Sequence, residues 1–291
     1  MNCLGGCQTR DVLKSLGLGW KDLFGRQDDM SFQGRKKTAI WDQLEVTQVY
    51  ETLLFKSLLS TEDGQVLHGR GMTDDTIRLG GYRTLRDIDL PVPREVLDRT
   101  PGFVGGRINV EGLACPIFGV NGDIKAVQVR TGVPGRKYQT LSGGKAGSIG
   151  SPCHCPIRAV TSIVESAPFV VTEGQIKAEL CTQFGFPAVG VLGVTAIGPV
   201  VDLVKRFKPE SVILAFDMDR VDKKGVADAQ ETAAATLDRA GVRVDIAHWD
   251  PAFKGVDDLL VAGGHFETTP WRRPCRARDT SRRATELRGG L

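Results

Sequence analysis

The sequence predicts an α/β protein with a mainly parallel sheet flanked by helices in its C-terminal part. From residue 168 to residue 265, short apolar runs such as SVILA at residues 211–215 alternate with segments of helical periodicity. This alternation predicts parallel strands joined by helical crossovers. Several of the apolar runs end in acidic residues. Upstream, two short apolar runs flank Asn121-Gly122-Asp123, a turn signal typical of an antiparallel hairpin.

A helical pattern precedes the hairpin. Residues 38–81 carry apolar side chains at spacings of three and four, and Thr73 or Asp74 can cap a short helix. The predicted organisation is a partial zinc motif with a helix at residues 1–25, a linker at 26–37, a helical segment at 38–100, a basic β-rich subdomain at 101–165, the α/β unit at 166–265, and an arginine-rich tail at 266–291 that we expect to be disordered. A nonspecific contact of this tail with phosphates is the alternative.

The composition is that of an ordinary globular protein. The chain has 291 residues, of which 41% are hydrophobic and 25% charged, so it is long enough for two modest domains. A net charge of +3 does not indicate a polyanionic partner by itself. We find neither an apolar run of membrane-spanning length nor a signal-peptide core. The seven cysteines are an odd number without a secretion signal, which favours reduced thiols and a cytoplasmic protein without membrane contact.

Acidic residues follow the strands of the α/β unit. Asp217 and Asp219 end one strand on the same face, which is unfavourable unless a cation or a proton separates them. Glu173 ends an earlier strand, and Asp257 follows the last one. The carboxyl ends of parallel strands meet at one edge of a sheet, so we expect an oxygen-rich site for Mg²⁺ or Mn²⁺ there. A polar strand end would explain any one of these carboxylates alone.

Cysteine pairs occur at two places. Cys3 and Cys7 surround a glycine turn and look like half of a zinc site, whose other two ligands would lie before Met1. We therefore prefer a truncated remnant to a complete Zn²⁺ site. Cys153 and Cys155 are too close in sequence for the usual zinc pair, and we predict a structural role for them.

Three stretches of the α/β unit carry a family resemblance. VVTEGQIKAEL, ILAFDMD and KGVDDLL resemble, in order and spacing, the three motifs of a Toprim domain, which bacterial DnaG-type primases share with topoisomerases and some nucleases. The hairpin followed by GRKYQTLSG is similar to the primase catalytic core. The N-terminal stretch is similar to the second half of the zinc motif in primases of phages, plasmids and integrated elements. Together these motifs cover residues 1–265. A topoisomerase or a Toprim nuclease would not have all of these motifs in this order.

The resemblance implies roles for the acidic residues and a function. Asp217, Asp219 and Asp257 would bind Mg²⁺ or Mn²⁺, and Glu173 would be a general acid or base or support the metal. The implied activity is the synthesis of short RNA primers on single-stranded DNA from ribonucleoside triphosphates, with a replicative helicase as partner. The alternatives are a Toprim nuclease and an inactive nucleic-acid-binding remnant of a mobile-element primase.

Basic residues are expected to hold phosphates near this edge. Lys177 lies four residues after Glu173, one helical turn on, so it can face the same edge; a surface pair with Glu173 is the alternative. Lys254 could reach a phosphate as well. Arg130 and Lys137 cluster near one end of the antiparallel sheet and are the candidates for binding template or nucleotide phosphates. For these two, a solvated sheet edge is the alternative.

Overall fold

The computed structural model describes residues 42–108, 110–134, 137–142, 152–157, 159, 167–218 and 224–273. Cys3, Cys7 and Asp219 therefore lie outside the described residues. In chain order the elements are α1 (Gln43–Lys56), α2 (Thr61–Gly69), α3 (Asp74–Leu79), β1 (Arg83–Leu85), α4 (Arg94–Arg99), β2 (Phe103–Val104), β3 (Arg107–Ile108), β4 (Gly112–Phe118), β5 (Ile124–Arg130), β6 (Tyr138–Thr140), β7 (Phe169–Glu173), α5 (Gln175–Gln183), β8 (Ala188–Val191), α6 (Gly198–Phe207), β9 (Ser211–Ala215), α7 (Lys224–Arg239), β10 (Arg243–His248), α8 (Val256–Val261) and β11 (Glu267–Pro270).

The predicted hairpin is the centre of an antiparallel sheet with the strand order β1-β4-β5-β6. Its turn uses Gly122, whose φ of 77° lies in the left-handed region that favours glycine. Helix α1 packs across one face of the sheet and buries Tyr50 and Leu53 there. The hydroxyl of Thr47 donates a hydrogen bond of 3.2 Å to the carbonyl of Ile124, which fixes α1 over β5.

The first strand of this sheet lies inside the segment that the sequence predicted to be helical. Strand β1 pairs antiparallel with β4, with Arg83 opposite Ala114. Residues 38–100 are therefore not entirely helical, and the β-rich subdomain takes a strand from them. Three residues are too few for a period-2 pattern to emerge, so the strand exists because β4 offers it an edge.

The α/β unit contains a mainly parallel sheet, as predicted. Within the described residues its strand order is β11-β10-β9-β7-β8, and the pairs β10–β9, β9–β7 and β7–β8 are parallel. Helices α6 and α7 cover one face, and α5 and α8 cover the other. Because both faces are buried, the strands are continuously apolar rather than alternating, as in Val170 and Val171, which are both buried.

The sheet extends into the segment that the sequence predicted to be a disordered tail. Residues 267–270 form β11, which pairs antiparallel with β10, so the sheet is mixed at this edge. The indole of Trp271 follows and donates a hydrogen bond of 2.9 Å to Glu231 on α7. All four residues of β11 are exposed, and they satisfy the edge of β10 through backbone hydrogen bonds instead of apolar side chains. Hydrophobic periodicity could not reveal such a strand.

A short segment around His154 joins the two sheets. The backbone N–H of His154 donates to the carbonyl of Gly190 in β8 at 2.7 Å, and that of Cys155 donates to Phe118 in β4 at 2.8 Å. The buried imidazole accepts from the N–H of Phe118 at 3.2 Å through Nδ1, and its Nε2 lies 3.0 Å from the carboxylate of buried Glu179. This arrangement is consistent with a structural role for the segment.

The cysteines beside His154 are buried free thiols. The contact with the Cys153 thiol and burial raise the pKa of Cys155 well above its usual value. A metal ligand would need the thiolate, so these surroundings favour the structural interpretation of the pair. No helix in the described part of the chain is both long enough and apolar enough to span a membrane.

Candidate active site

The carboxyl ends of β7 and β9 place Glu173 and Asp217 at one edge of the parallel sheet. The two strands are neighbours, with Thr172 opposite Ala215, so Glu173 ends β7 where the chain leaves β9 toward Asp217. Both carboxylates line a cavity of about 600 Å³. The carboxyl ends of parallel strands meet at one edge of a sheet, and this brings the two predicted residues together at the cavity.

Asp257 lies beside this cavity but is shielded from it. Its side chain is 1% exposed and forms an ion pair with Arg70 through Oδ2. Its other oxygen, Oδ1, is buried and has no hydrogen-bond partner among the described residues. The neighbouring Asp258 lines the cavity and also accepts a hydrogen bond of 3.2 Å from the N–H of Gly255, which caps α8. Of the two carboxylates in this motif, Asp258 faces the cavity and Asp257 faces the protein interior.

Lys177 forms an ion pair with Asp217, whereas the sequence left open a pair with Glu173. Both partners are largely buried, at 16% and 14% exposure of their side chains. Lys177 lies in the first turn of α5, which starts directly after Gly174 at the end of β7. The sequence therefore placed Lys177 at the correct edge, and the packing of α5 against the sheet selected its partner.

Arg70 is a cavity residue that the sequence did not reveal. It follows α2 and reaches Asp257 on α8, 187 residues away in sequence. Burial lowers the pKa of its guanidinium, but the charge and the hydrogen bond of Asp257 outweigh this effect and raise the pKa. The turn that carries Arg70 is also fixed by Gln183, whose amide donates to the carbonyl of Gly71 at 2.9 Å and accepts from the N–H of Thr73 at 3.0 Å.

The predicted basic residues divide between two adjoining cavities. Lys137, Lys177 and Lys254 line the cavity that holds Glu173 and Asp217. Arg130 instead lines a second cavity of about 630 Å³, and Lys137 belongs to the walls of both. Lys137 is thus the one basic side chain, among the described residues, that the two cavities share.

Polar and aromatic groups complete the wall on the side of the antiparallel sheet. Gln128 of β5 and Tyr138 of β6 line the first cavity. The ammonium group of Lys137 lies 5.9 Å from the centre of the Tyr138 ring, within reach of a cation–π interaction. Burial raises the pKa of the half-buried Tyr138 hydroxyl, so the phenol stays neutral. Tyr138 therefore presents an uncharged aromatic surface in a cavity that three carboxylates and several cations also line.

The carboxylates suit a hard divalent cation in their chemistry. Within the described residues, no three His, Cys, Asp or Glu side chains come together as a metal site. Asp219, the expected neighbour of Asp217, falls between described residues 218 and 224. The oxygens of Glu173 and Asp217 on the cavity wall, and the unpaired Oδ1 of Asp257 nearby, are the donor type that Mg²⁺ and Mn²⁺ prefer. The donor set fits the expected ion.

Gly255 leaves room for two of these side chains, and replacing it is expected to disturb both. A Cβ at this position would lie 2.2 Å from Oδ1 of Asp257 and 3.2 Å from Cε of Lys177, while the φ of −111° suits any residue. We expect Gly255→Ala to destabilise the fold by about 1–3 kcal/mol through overpacking, as measured by urea denaturation. Gly198→Ala is the control, because nothing lies within 4 Å of its Cβ. Equal stability of the two variants would contradict the prediction.

Part of the chain matches a known family. Residues 161–266 match the family described as "Domain of unknown function (DUF3854)". A curated relative, an uncharacterised protein of Picosynechococcus sp. (strain ATCC 27264 / PCC 7002 / PR-6), is 32% identical over 116 residues, which are 33% of this chain. The match spans 12% of the length of that relative.

The fold is that of the catalytic cores of DnaG-type primases. A DNA primase domain from Pseudomonas aeruginosa has a TM-score of 0.61 at 17% identity, over 77% of this chain and 79% of that one. A DnaG catalytic core has a TM-score of 0.60 at 18% identity, over 79% and 81% of the chains. A DnaG primase catalytic domain bound to ssDNA has a TM-score of 0.58 at 19% identity, over 76% and 77%. At these identities the likeness establishes the fold.

Proposed function

We propose that the protein is a primase-like nucleotidyltransferase that synthesises short RNA primers on single-stranded DNA from ribonucleoside triphosphates. The observation that carries the proposal is the cavity in which Glu173 and Asp217 face Lys137 and Lys254. Carboxylates that can hold a divalent ion beside cations that can hold phosphates are the arrangement that phosphoryl transfer needs. The primase-core fold and the bound ssDNA of one solved neighbour support this choice over other phosphoryl transfers.

The basic side chains of the two cavities are assigned to phosphates. Lys137 and Lys254 lie where they can neutralise an incoming triphosphate beside Glu173. Arg130, in the adjoining cavity, is suited to a bidentate contact with the template backbone. Tyr138 offers the aromatic face on which a base can stack. The template strand would thus approach along the antiparallel sheet and the nucleotide along the α/β unit.

Asp217, Asp219 and Glu173 would hold Mg²⁺ or Mn²⁺. When bound, the ion neutralises the phosphates and lowers the pKa of the attacking hydroxyl. Glu173 lies on the cavity wall and has no ion pair among the described residues, so it is available to accept a proton. The buried ion pair of Asp257 with Arg70 favours an anchoring role for Asp257 over the ligand role that the resemblance implies.

We also propose the domain type, the kind of primase, its partner and its location in the cell. The three acidic motifs make the α/β unit a Toprim domain, and their order with the basic hairpin makes the protein a primase of the phage, plasmid or integrated-element kind. A replicative helicase would be its partner and the cytoplasm its location. Cys3 and Cys7 would belong to a zinc motif similar to that of such primases.

The test is primer synthesis with a carboxylate-deficient control. Purified protein is incubated with single-stranded DNA, labelled ribonucleotides and Mg²⁺ or Mn²⁺, beside the double variant Asp217→Ala/Asp219→Ala. We expect short labelled products that the double variant does not make. The matched variant Asp202→Ala/Asp228→Ala removes two carboxylates from helices α6 and α7 and should synthesise normally.

Other results would redirect the assignment. Cleavage of labelled DNA without synthesis, lost in the double variant, would identify a nuclease. Binding of DNA without either reaction would identify a nucleic-acid-binding protein. Each of these outcomes would overturn the proposed polymerase activity.

A further inference from the structure

Strand β5 divides its side chains between the apolar core and the cavities. Val127 and Val129 are buried in the apolar cluster that includes α1. Gln128 and Arg130 alternate with them along the strand, so they face the other side of the sheet. Gln128 lines the cavity that holds Glu173, and Arg130 lines the adjoining one. A strand in the middle of the antiparallel sheet therefore presents an uncharged carboxamide to the cavity.

The neighbouring strand β6 places an aromatic ring beside this carboxamide. In the register of the two strands, Thr140 lies opposite Gln128, and Tyr138 lies two residues earlier on β6. The three side chains therefore share one face of the sheet. Diagonal neighbours such as Gln128 and Tyr138 are about 7–8 Å apart in an antiparallel sheet, and both line the same cavity. A base that stacks on the ring can therefore reach the carboxamide.

The carboxamide of Gln128 is held in place and keeps free hydrogen-bonding groups. Its Nε2 donates a hydrogen bond of 3.4 Å to Oγ1 of Thr140, which is its only side-chain hydrogen bond to a described residue. A glutamine amide has two N–H donors and a carbonyl acceptor, so one donor and the acceptor remain available side by side. The second glutamine of the cavity wall, Gln175, is only 3% exposed, which leaves Gln128 as the accessible carboxamide.

The free donor and acceptor of Gln128 complement one edge of adenine. Glutamine can bind adenine through two hydrogen bonds, donating to N7 and accepting from the N6 amino group. The carboxylates that line this cavity all belong to the α/β unit, namely Glu173, Asp217 and Asp258. The antiparallel sheet thus offers cations and uncharged groups to a bound strand in this cavity, without a carboxylate to repel its phosphates.

The position of Arg130 indicates that the base belongs to the template. Arg130 lies two residues from Gln128 on the same face of β5, about 7 Å along the strand. Its guanidinium is suited to a template phosphate, so a base attached to that stretch of backbone would lie next to Tyr138. Phosphate contacts carry no sequence information, whereas a contact with a base edge does. Gln128 is therefore the residue at which this surface can distinguish one sequence from another.

We propose that Gln128 reads a base of the single-stranded DNA template, and that adenine stacked on Tyr138 is the base that it selects. The proposal rests on the proposed function for the presence of a template strand. It gives the core fold a sequence preference of its own, in addition to the contacts of its basic side chains with phosphates.

Binding of a modified oligonucleotide to the full chain tests the proposal without turnover. Fluorescence anisotropy gives the dissociation constants of a short oligodeoxyadenylate and of the same oligomer made from 7-deazaadenine, which stacks alike but has a CH group in place of N7. We expect the wild type to bind the 7-deaza oligomer about tenfold more weakly, and Gln128→Met to bind both oligomers equally. Gln65→Met, which removes an exposed glutamine from α2, should discriminate as the wild type does.

A second variant and a free nucleotide keep the test decisive. Gln128→Glu keeps the length of the side chain but has no N–H for N7, so it replaces Gln128→Met if that variant does not fold and should also bind both oligomers alike. Equal binding of the two oligomers by the wild type, or discrimination that persists in the variants, would overturn the proposal. Discrimination between ATP and 7-deaza-ATP but not between the oligomers would also overturn it, because the base that is read would then be that of the incoming nucleotide.

Primer synthesis and base discrimination fail separately. If the wild type distinguishes the two oligomers while no primers are made, the contact of Gln128 with the base stands and the polymerase assignment falls. If primers are made while the two oligomers bind alike, the assignment of Gln128 falls and the primase stands.

Discussion

Arg70→Met is expected to destabilise the protein by about 3 kcal/mol, the largest effect on stability that we predict for a residue outside the apolar core. The substitution leaves the carboxylate of Asp257, which is 1% exposed, without the charge that compensates its burial. Removing one partner of a buried ion pair costs about 3–5 kcal/mol, and we take the low end because Arg70 itself is 33% exposed. Urea denaturation measures the change directly.

A double-mutant cycle separates the ion pair from the rest of the Arg70 side chain. If the pair is responsible, Arg70→Met in the background of Asp257→Asn should cost far less than in the wild type. The control is Arg78→Met, because the ion pair of Arg78 with Asp75 spans 2.9 Å between side chains that are 69% and 60% exposed. We expect a change below about 0.5 kcal/mol there. An equal loss of unfolding free energy in Arg70→Met and Arg78→Met would show that the buried ion pair stabilises the fold no more than the exposed one, and would contradict the prediction.

Glu173→Gln is expected to reduce primer synthesis by about a thousandfold while the fold and DNA binding are retained. The glutamine keeps the size of the side chain at the end of β7 but cannot accept a proton and carries no charge for the cation. Because Glu173 is at the cavity wall without an ion pair among the described residues, its replacement strands no buried charge. Slower single-turnover primer synthesis, together with an unchanged melting temperature, would show that the substitution affects the chemical step and not the stability of the fold.

Glu95→Gln, which neutralises an exposed carboxylate on α4, is the matched control and should be fully active. Activity of Glu173→Gln within tenfold of the wild type would remove Glu173 from the chemistry and leave the aspartates as the groups that matter. A parallel loss of stability would instead mean that Glu173 supports the edge of the sheet.

The parallel strands of the α/β unit and the hairpin were predictable because each depends on local patterns. Continuous apolar runs such as residues 211–215 are required of strands buried on both faces, and the glycine turn after Asn121 sets the hairpin register. The elements missed were β1 and β11. Both are short edge strands that exist because an existing strand offers them hydrogen bonds, and a partner strand distant in sequence leaves no local pattern.

By itself the sequence determined that Glu173 and Asp217 would meet, because the carboxyl ends of neighbouring parallel strands lie at one edge whatever the details of packing. Only the tertiary structure decided which cation each carboxylate faces. Lys177 pairs with Asp217 across 40 residues, and Arg70 pairs with Asp257 across 187. The packing of helices and turns against the sheet determines which residues form ion pairs over such separations. The spacing of charged residues along the chain therefore does not predict these pairs.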